Sequence, residues 1–125
     1  MPNHNFKNHA HHISFKIALS GLIYAFHTQP NFLIMSLFTA LALILTFSLK
    51  ISFLETLIVI WTIIIVFIVE MINTSIESIT DLITEEWNEN AKIAKDVSSG
   101  MVLLTTIGAA IIGLLIFSPK LLNLL

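Results

Sequence analysis

Glu70, Asn73, Glu77 and Asp81 recur at intervals of three and four residues, and at about 100° per residue they fall on one stripe of a helix. The stripe grows out of the apolar run Leu57 to Val69, which carries no charge. A carboxylate left in hydrocarbon costs roughly 2.5–3.5 kcal/mol on insertion scales, so acids here must face a protein interior or a polar cavity. Glu70 and Glu77 stand roughly 10 Å apart along such a helix, too far to chelate one ion together. The spacing divides the labour instead: Glu70, at the apolar end, suits a general base, and Glu77, nearer water, suits a cation ligand. A lone buried acid satisfied by a neighbouring helix is the structural alternative, and a stripe of acids makes it the weaker one.

A second polar group follows in Asn90-Ala91-Lys92-Ile93-Ala94-Lys95-Asp96-Val97-Ser98-Ser99-Gly100, where Lys92, Lys95, Asp96 and Ser99 share a helical face. Two ammoniums leading into hydroxyls and a glycine can receive a polyphosphate, the lysines neutralising charge and the hydroxyls donating hydrogen bonds. Anchoring of a helix at the membrane surface by its lysines is the competing reading. The chain contains no arginine, so bidentate guanidinium contacts to phosphate are excluded, and no cysteine, which excludes disulfides and thiolate metal sites. Neither a P-loop nor a Gly-x-Gly-x-x-Gly turn is present. His4, His9, His11 and His12 make the first 12 residues histidine-rich, and with nothing to fix a metal geometry they read as a disordered tail.

The elements that must position these groups are membrane helices. Of 125 residues, 56% are hydrophobic and 11% charged, and the mean hydropathy of +0.91 belongs to the membrane class. Residues 32–49, 53–76 and 97–118 are long enough to span a bilayer, which takes about 20 predominantly apolar residues. The turn at Lys50-Ile51-Ser52 forces the first two into an antiparallel hairpin. Phe15, Leu19, Leu22 and Phe26 recur at helical spacing ahead of the first span and predict an amphipathic surface helix over 14–28, ended near Pro30. The segment 80–96 is polar and belongs in water or headgroups. Lys7, Lys16, Lys92 and Lys95 on one side, against Lys50 and Lys120 on the other, place the N-terminus and this segment in the cytoplasm. A cleaved signal peptide is not expected, because no basic segment leads directly into a short apolar core. Thr105, Ala109 and Gly113 give the third span a small-residue packing stripe. Three thin helices enclose little volume, so a site built on them calls for a second subunit. The net charge of −2 gives no argument for a nucleic-acid partner.

With these residues in view, the chain resembles the small prokaryotic diacylglycerol kinase family, and within it the branch that includes undecaprenol kinases. The resemblance covers residues 15–120. It is carried by Phe15-Lys16, Gly21-Leu22, Tyr24-Ala25-Phe26 and Asn31-Phe32, by Glu70 through Glu77 with Asp81, and by Ala91-Lys92-Ile93-Ala94-Lys95-Asp96 with Gly100. It implies an all-α homotrimer of three-span subunits with an N-terminal surface helix, and active sites between subunits at the cytoplasmic face of the membrane. It also implies ATP and magnesium as cofactors. Glu70 then takes the role of catalytic base, Glu77 that of magnesium ligand and Asn73 that of its polar neighbour, with Lys95 on phosphate and Asp96 toward sugar or adenine. Lys92 and Ser99 join the nucleotide contacts. Gln29 stands where the family often has a second metal-binding glutamate; an amide oxygen can ligate a hard cation, though more weakly. Leu33 and Met35 replace a customary arginine and histidine in what reads as a loop before the first span, and Asn88 replaces a common histidine.

The reading that unites these features is ATP-dependent phosphorylation of a membrane lipid alcohol, diacylglycerol or undecaprenol, by in-line phosphoryl transfer. A non-catalytic three-span interaction protein, suggested by Leu33 and Met35, is the alternative. A small transporter would explain the intramembrane acids but not the lysine cluster, and the chain lacks the repeated, discontinuous helices of transporters.

Overall fold

A computed structural model describes residues 15–125; the histidine-rich tail lies outside the described residues. The described chain forms four helices, α1 (Phe15–Thr28), α2 (Pro30–Ser48), α3 (Phe53–Ile83) and α4 (Glu89–Leu122). The last three are long and apolar enough to cross a membrane. No strand occurs among the described residues, so the all-α membrane architecture expected from the sequence is the one found.

Each boundary has a local cause. Gln29 adopts an extended conformation (φ −106°, ψ 111°) and Pro30 opens α2, where its missing N–H is no loss and its fixed φ already suits a helix. The break between α1 and α2 is therefore a single residue, and Leu33 and Met35 lie in the first turns of α2, inside the span expected over 32–49 and not in a loop before it. Lys50 turns the chain with φ +48°, a left-handed conformation that non-glycine residues seldom adopt. Ser52 then starts α3 with a reciprocal capping box: Glu55 N donates to Ser52 Oγ at 3.2 Å and Ser52 N donates to Glu55 Oε2 at 2.8 Å. Asn88 starts α4 by accepting from Ala91 N at 3.1 Å, which gives the residue in the family's histidine position a capping role here.

α3 is a single unbroken helix of 31 residues, roughly 45 Å at about 1.5 Å per residue. It contains neither proline nor glycine, the usual causes of a sharp kink, and it carries the apolar run and the acid stripe on one continuous element. The polar segment 80–96 is thus helical at both ends, with only Thr84 to Asn88 connecting α3 to α4. α4 continues through Pro119 to Leu122; a proline this close to the C-terminus removes one donor from the last turns without ending the helix.

α3 packs most extensively against α4 and also against α2, while α1 packs on α2. The stripe of Thr105, Ala109 and Gly113 is half-buried, but a Cβ added at Gly113 would meet nothing within 4 Å, so no close approach within the chain depends on that glycine. Burial is split by end. At the α2–α3 turn, Ile51, Val59, Ile116 and Phe117 form an apolar cluster, clamped by a Lys120 Nζ to Glu55 Oε1 ion pair at 2.7 Å. At the opposite end the buried residues of α3 and α4 are polar: Glu70, Asn73, Thr74, Thr80 and Ser98. Most large apolar side chains elsewhere face outward, the pattern of a chain whose outer solvent is lipid or another subunit.

Candidate active site

The site lies at the polar end, where α3 supplies the acids and the starts of α2 and α4 close over them. An aromatic cluster fixes the junction. Phe32, 0% exposed, meets Phe26 edge-on at 5.2 Å between ring centres and Phe67 edge-on at 5.3 Å. One helical turn beyond Phe67 is Glu70, 1% exposed. Asn31 Nδ2 donates to Glu70 Oε1 at 3.1 Å, whereas the buried Oε2 has no hydrogen-bond partner among the described residues.

A chain of polar contacts continues from the next turn. Ser98 Oγ donates to Asn73 Oδ1 at 2.7 Å, and Asn73 Nδ2 donates to Glu77 Oε1 at 3.3 Å. Asn73 therefore has one end of its amide held by α4 and presents the other to the half-buried Glu77. A groove of about 390 Å³ runs past these groups, lined by Asn31, Glu70, Asn73, Glu77 and Ser99 on its polar side. Ile34 and Met35 of α2, and Val102, Leu103 and Thr106 of α4, form its other walls. Charge at one end and hydrocarbon along the sides suits an amphiphile with a polar tip.

A larger depression of about 730 Å³ opens beyond it, lined by Asp81, Trp87, Asn88, Lys92, Lys95 and Asp96 together with the rest of the α3–α4 connection. Both lysines are ion-paired, Lys95 with Asp81 and Lys92 with Asp96. These pairs are exposed, so each is weak, and a polyphosphate can take the lysines from the carboxylates at small cost.

The model of the prokaryotic diacylglycerol kinase family matches residues 16–117. The chain belongs to that family. It is 41% identical over 115 residues to a diacylglycerol kinase from Synechocystis sp., an overlap of 90% of this chain and 65% of that protein. It therefore spans just under two thirds of that relative's length. It is 38% identical over 108 residues to the undecaprenol kinase of Bacillus subtilis, covering 86% of this chain and 88% of that protein.

In this member of the diacylglycerol kinase family, the residues singled out from sequence divide into two groups. Glu70, Asn73, Glu77 and Ser99 meet in the groove, while Lys92, Lys95 and Asp96 gather in the outer depression. Gln29, half-buried at the α1–α2 junction, lines neither. Leu33 is 65% exposed and also lies outside the groove, which Met35 does line. One residue that the sequence reading left out lines the groove, and another that it grouped with the phosphate-binding hydroxyls has a different partner. Asn31 binds Glu70, and its signal was a polar residue at the mouth of an apolar helix. Ser98, not its neighbour Ser99, is the buried hydroxyl on Asn73, and its place one turn beyond Lys95 was the available cue.

Proposed function

We propose that this chain is an integral-membrane lipid kinase that transfers the γ-phosphoryl group of ATP to the primary hydroxyl of a long-chain lipid alcohol. The observation that carries the reading is Glu70: a carboxylate buried beside an amphiphile-sized groove, with one oxygen held by Asn31 and the other buried without a hydrogen-bond partner among the described residues. Membership of a kinase family supports the same activity, and the names of the two relatives supply the acceptors to test.

In the proposed reaction the lipid enters with its chains along Ile34, Met35, Val102 and Leu103 and its hydroxyl toward Glu70. The hydroxyl proton passes to Glu70, the lipid oxygen bonds to the γ-phosphorus, and the bond from that phosphorus to the β-phosphate bridging oxygen breaks to release ADP. Lys95 and Lys92 exchange their carboxylate partners for phosphate, and Asp96 faces the nucleoside side. Glu77 offers a hard oxygen at the groove. Among the described residues no three ligating side chains cluster, and this fits magnesium, which is commonly held by one or two carboxylates with substrate phosphates and water. When bound, the ion neutralises phosphate charge. Gln29 as a second oxygen donor rests on the family resemblance alone. Assembly as a homotrimer with α1 on the membrane surface follows from the family resemblance, and the cytoplasmic N-terminus from the distribution of lysines.

The non-catalytic alternative is not favoured, since the relatives of this chain are named as kinases and, of the two replacements that suggested it, Leu33 lies outside the groove while Met35 keeps an apolar wall there. The deciding experiment is transfer from radiolabelled ATP to diacylglycerol and to undecaprenol in separate mixed micelles. Label on either lipid supports the kinase and names its acceptor. Label on neither, from folded protein with magnesium, overturns it.

A further inference from the structure

We infer that Asn31 is a positioning residue for Glu70, fixing which carboxylate oxygen takes the proton of the acceptor hydroxyl. This rests on the kinase reading and adds to it a residue whose only described side-chain bond is to the base. Glu70 Oε1 is occupied by Asn31 Nδ2 at 3.1 Å; Oε2 is buried and has no partner among the described residues. A buried carboxylate oxygen without a donor is unfavourable, and a hydroxyl arriving through the groove would supply the missing hydrogen bond. Asn31 thus engages one oxygen and leaves the other as the unpartnered acceptor. A neutral amide suits this task, because it donates to the carboxylate yet neither gives up nor competes for the transferred proton.

The framework around this bond is rigid on both sides. Asn31 follows Pro30, whose ring sets the helix start, and precedes Phe32, which is fully enclosed between Phe26 and Phe67. Phe67 lies one turn from Glu70 on α3, so one aromatic contact registers both partners of the hydrogen bond. Freed from Asn31, the Glu70 carboxylate can rotate about its terminal torsion, which is broad and soft. The reacting proton then loses a fixed target. Misplacement on the scale of 1 Å costs on the order of 100-fold in rate.

The test compares Asn31→Ala and Asn31→Asp with the parent enzyme, and repeats Asn31→Ala in a Glu70→Gln background. Asn31→Asp keeps the shape but replaces the donor by a second carboxylate beside Glu70, and so tests the neutral amide as distinct from space-filling. Expected are a fall in kcat of about 10- to 100-fold for both single variants, KM values for ATP and lipid within about two-fold of the parent, and no further fall when Asn31→Ala is added to Glu70→Gln. Asn31→Asp at parental kcat, or a loss confined to KM, overturns the assignment, as does an additive loss in the double variant. Should Asn31→Ala fail to assemble, Asn31→Asp carries the kcat test alone. The two levels of the argument fail differently: a fully active Glu70→Gln removes the base itself, whereas an inactive Glu70→Gln beside an unimpaired Asn31→Asp removes only the role of Asn31.

Discussion

Replacing Ser98 by alanine removes one hydroxyl from a position with 0% exposure, yet the consequence should be read at Glu77, on another helix. Ser98 Oγ donates to Asn73 Oδ1 at 2.7 Å, and that contact sets the amide so that Nδ2 faces Glu77 Oε1 at 3.3 Å. Without it, Asn73 Oδ1 is a buried acceptor that has lost its donor, which costs about 1–3 kcal/mol. The amide can also turn over and bring an oxygen against the Glu77 carboxylate, where the contact becomes repulsive. If about 1 kcal/mol of that disturbance reaches the orientation of Glu77, half-saturation by magnesium rises roughly five-fold. The assay is a magnesium titration of phosphoryl transfer at saturating ATP, with thermal unfolding in the same micelles. A lowered Tm with an unchanged magnesium midpoint would show that Ser98 serves packing only. No change in either would refute the hydrogen-bonded chain altogether.

Glu77→Gln should weaken magnesium dependence more strongly than Ser98→Ala and be partly rescued by raised metal; an unchanged titration removes Glu77 as a ligand. Lys95→Ala should raise KM for ATP more than Lys92→Ala, because Lys95 is drawn toward the acid stripe by Asp81 on α3, whereas Lys92 pairs within its own helix. Equal small effects would return both lysines to simple anchoring. At the far end, Glu55→Ala should destabilise the fold by about 1–3 kcal/mol, combining a lost cap with a lost ion pair. Lys120→Met should cost no more than about 1 kcal/mol, and comparable losses in unfolding measurements would argue that the capping box contributes nothing.

The spans were legible because apolar runs of bilayer length between turn residues leave few other structures open to them. The acid stripe was legible because its spacing fixes a face. The partners of that stripe were not, since they depend on how helices cross. Asn31 and Glu70 are 39 residues apart, and no local pattern pairs them. The helical wheel grouped Ser99 with Lys92 and Lys95, but the close approach of α4 to α3 is what buries Ser98. The Ser52–Glu55 capping box was written in the sequence as Ser-x-x-Glu, whereas Lys120 reaches it only because α4 runs on past Pro119. Leu33 and Met35 fall within the expected span 32–49 and were also read as changes in a loop ahead of it. A one-residue break at Gln29 puts both on a helix instead, and the helical turn between them sends only Met35 toward the groove.

The continuity of α3 through both acids turns the protein into a depth gauge for its bilayer. Glu70 and Glu77 ride on one rod, so their separation is set by the helix rise and not by whatever is bound. What can vary is the height of the hydrocarbon boundary against that rod. A thinner membrane lifts the headgroup plane away from neither acid alone but shifts it relative to both, changing how far an acceptor alcohol must sink or rise to meet Glu70. Mismatch of this kind costs only fractions of a kcal/mol per Å, enough to tune turnover without disturbing the fold. The same polypeptide, moved between bilayers of different acyl length, should therefore change its rate while its nucleotide affinity stays constant.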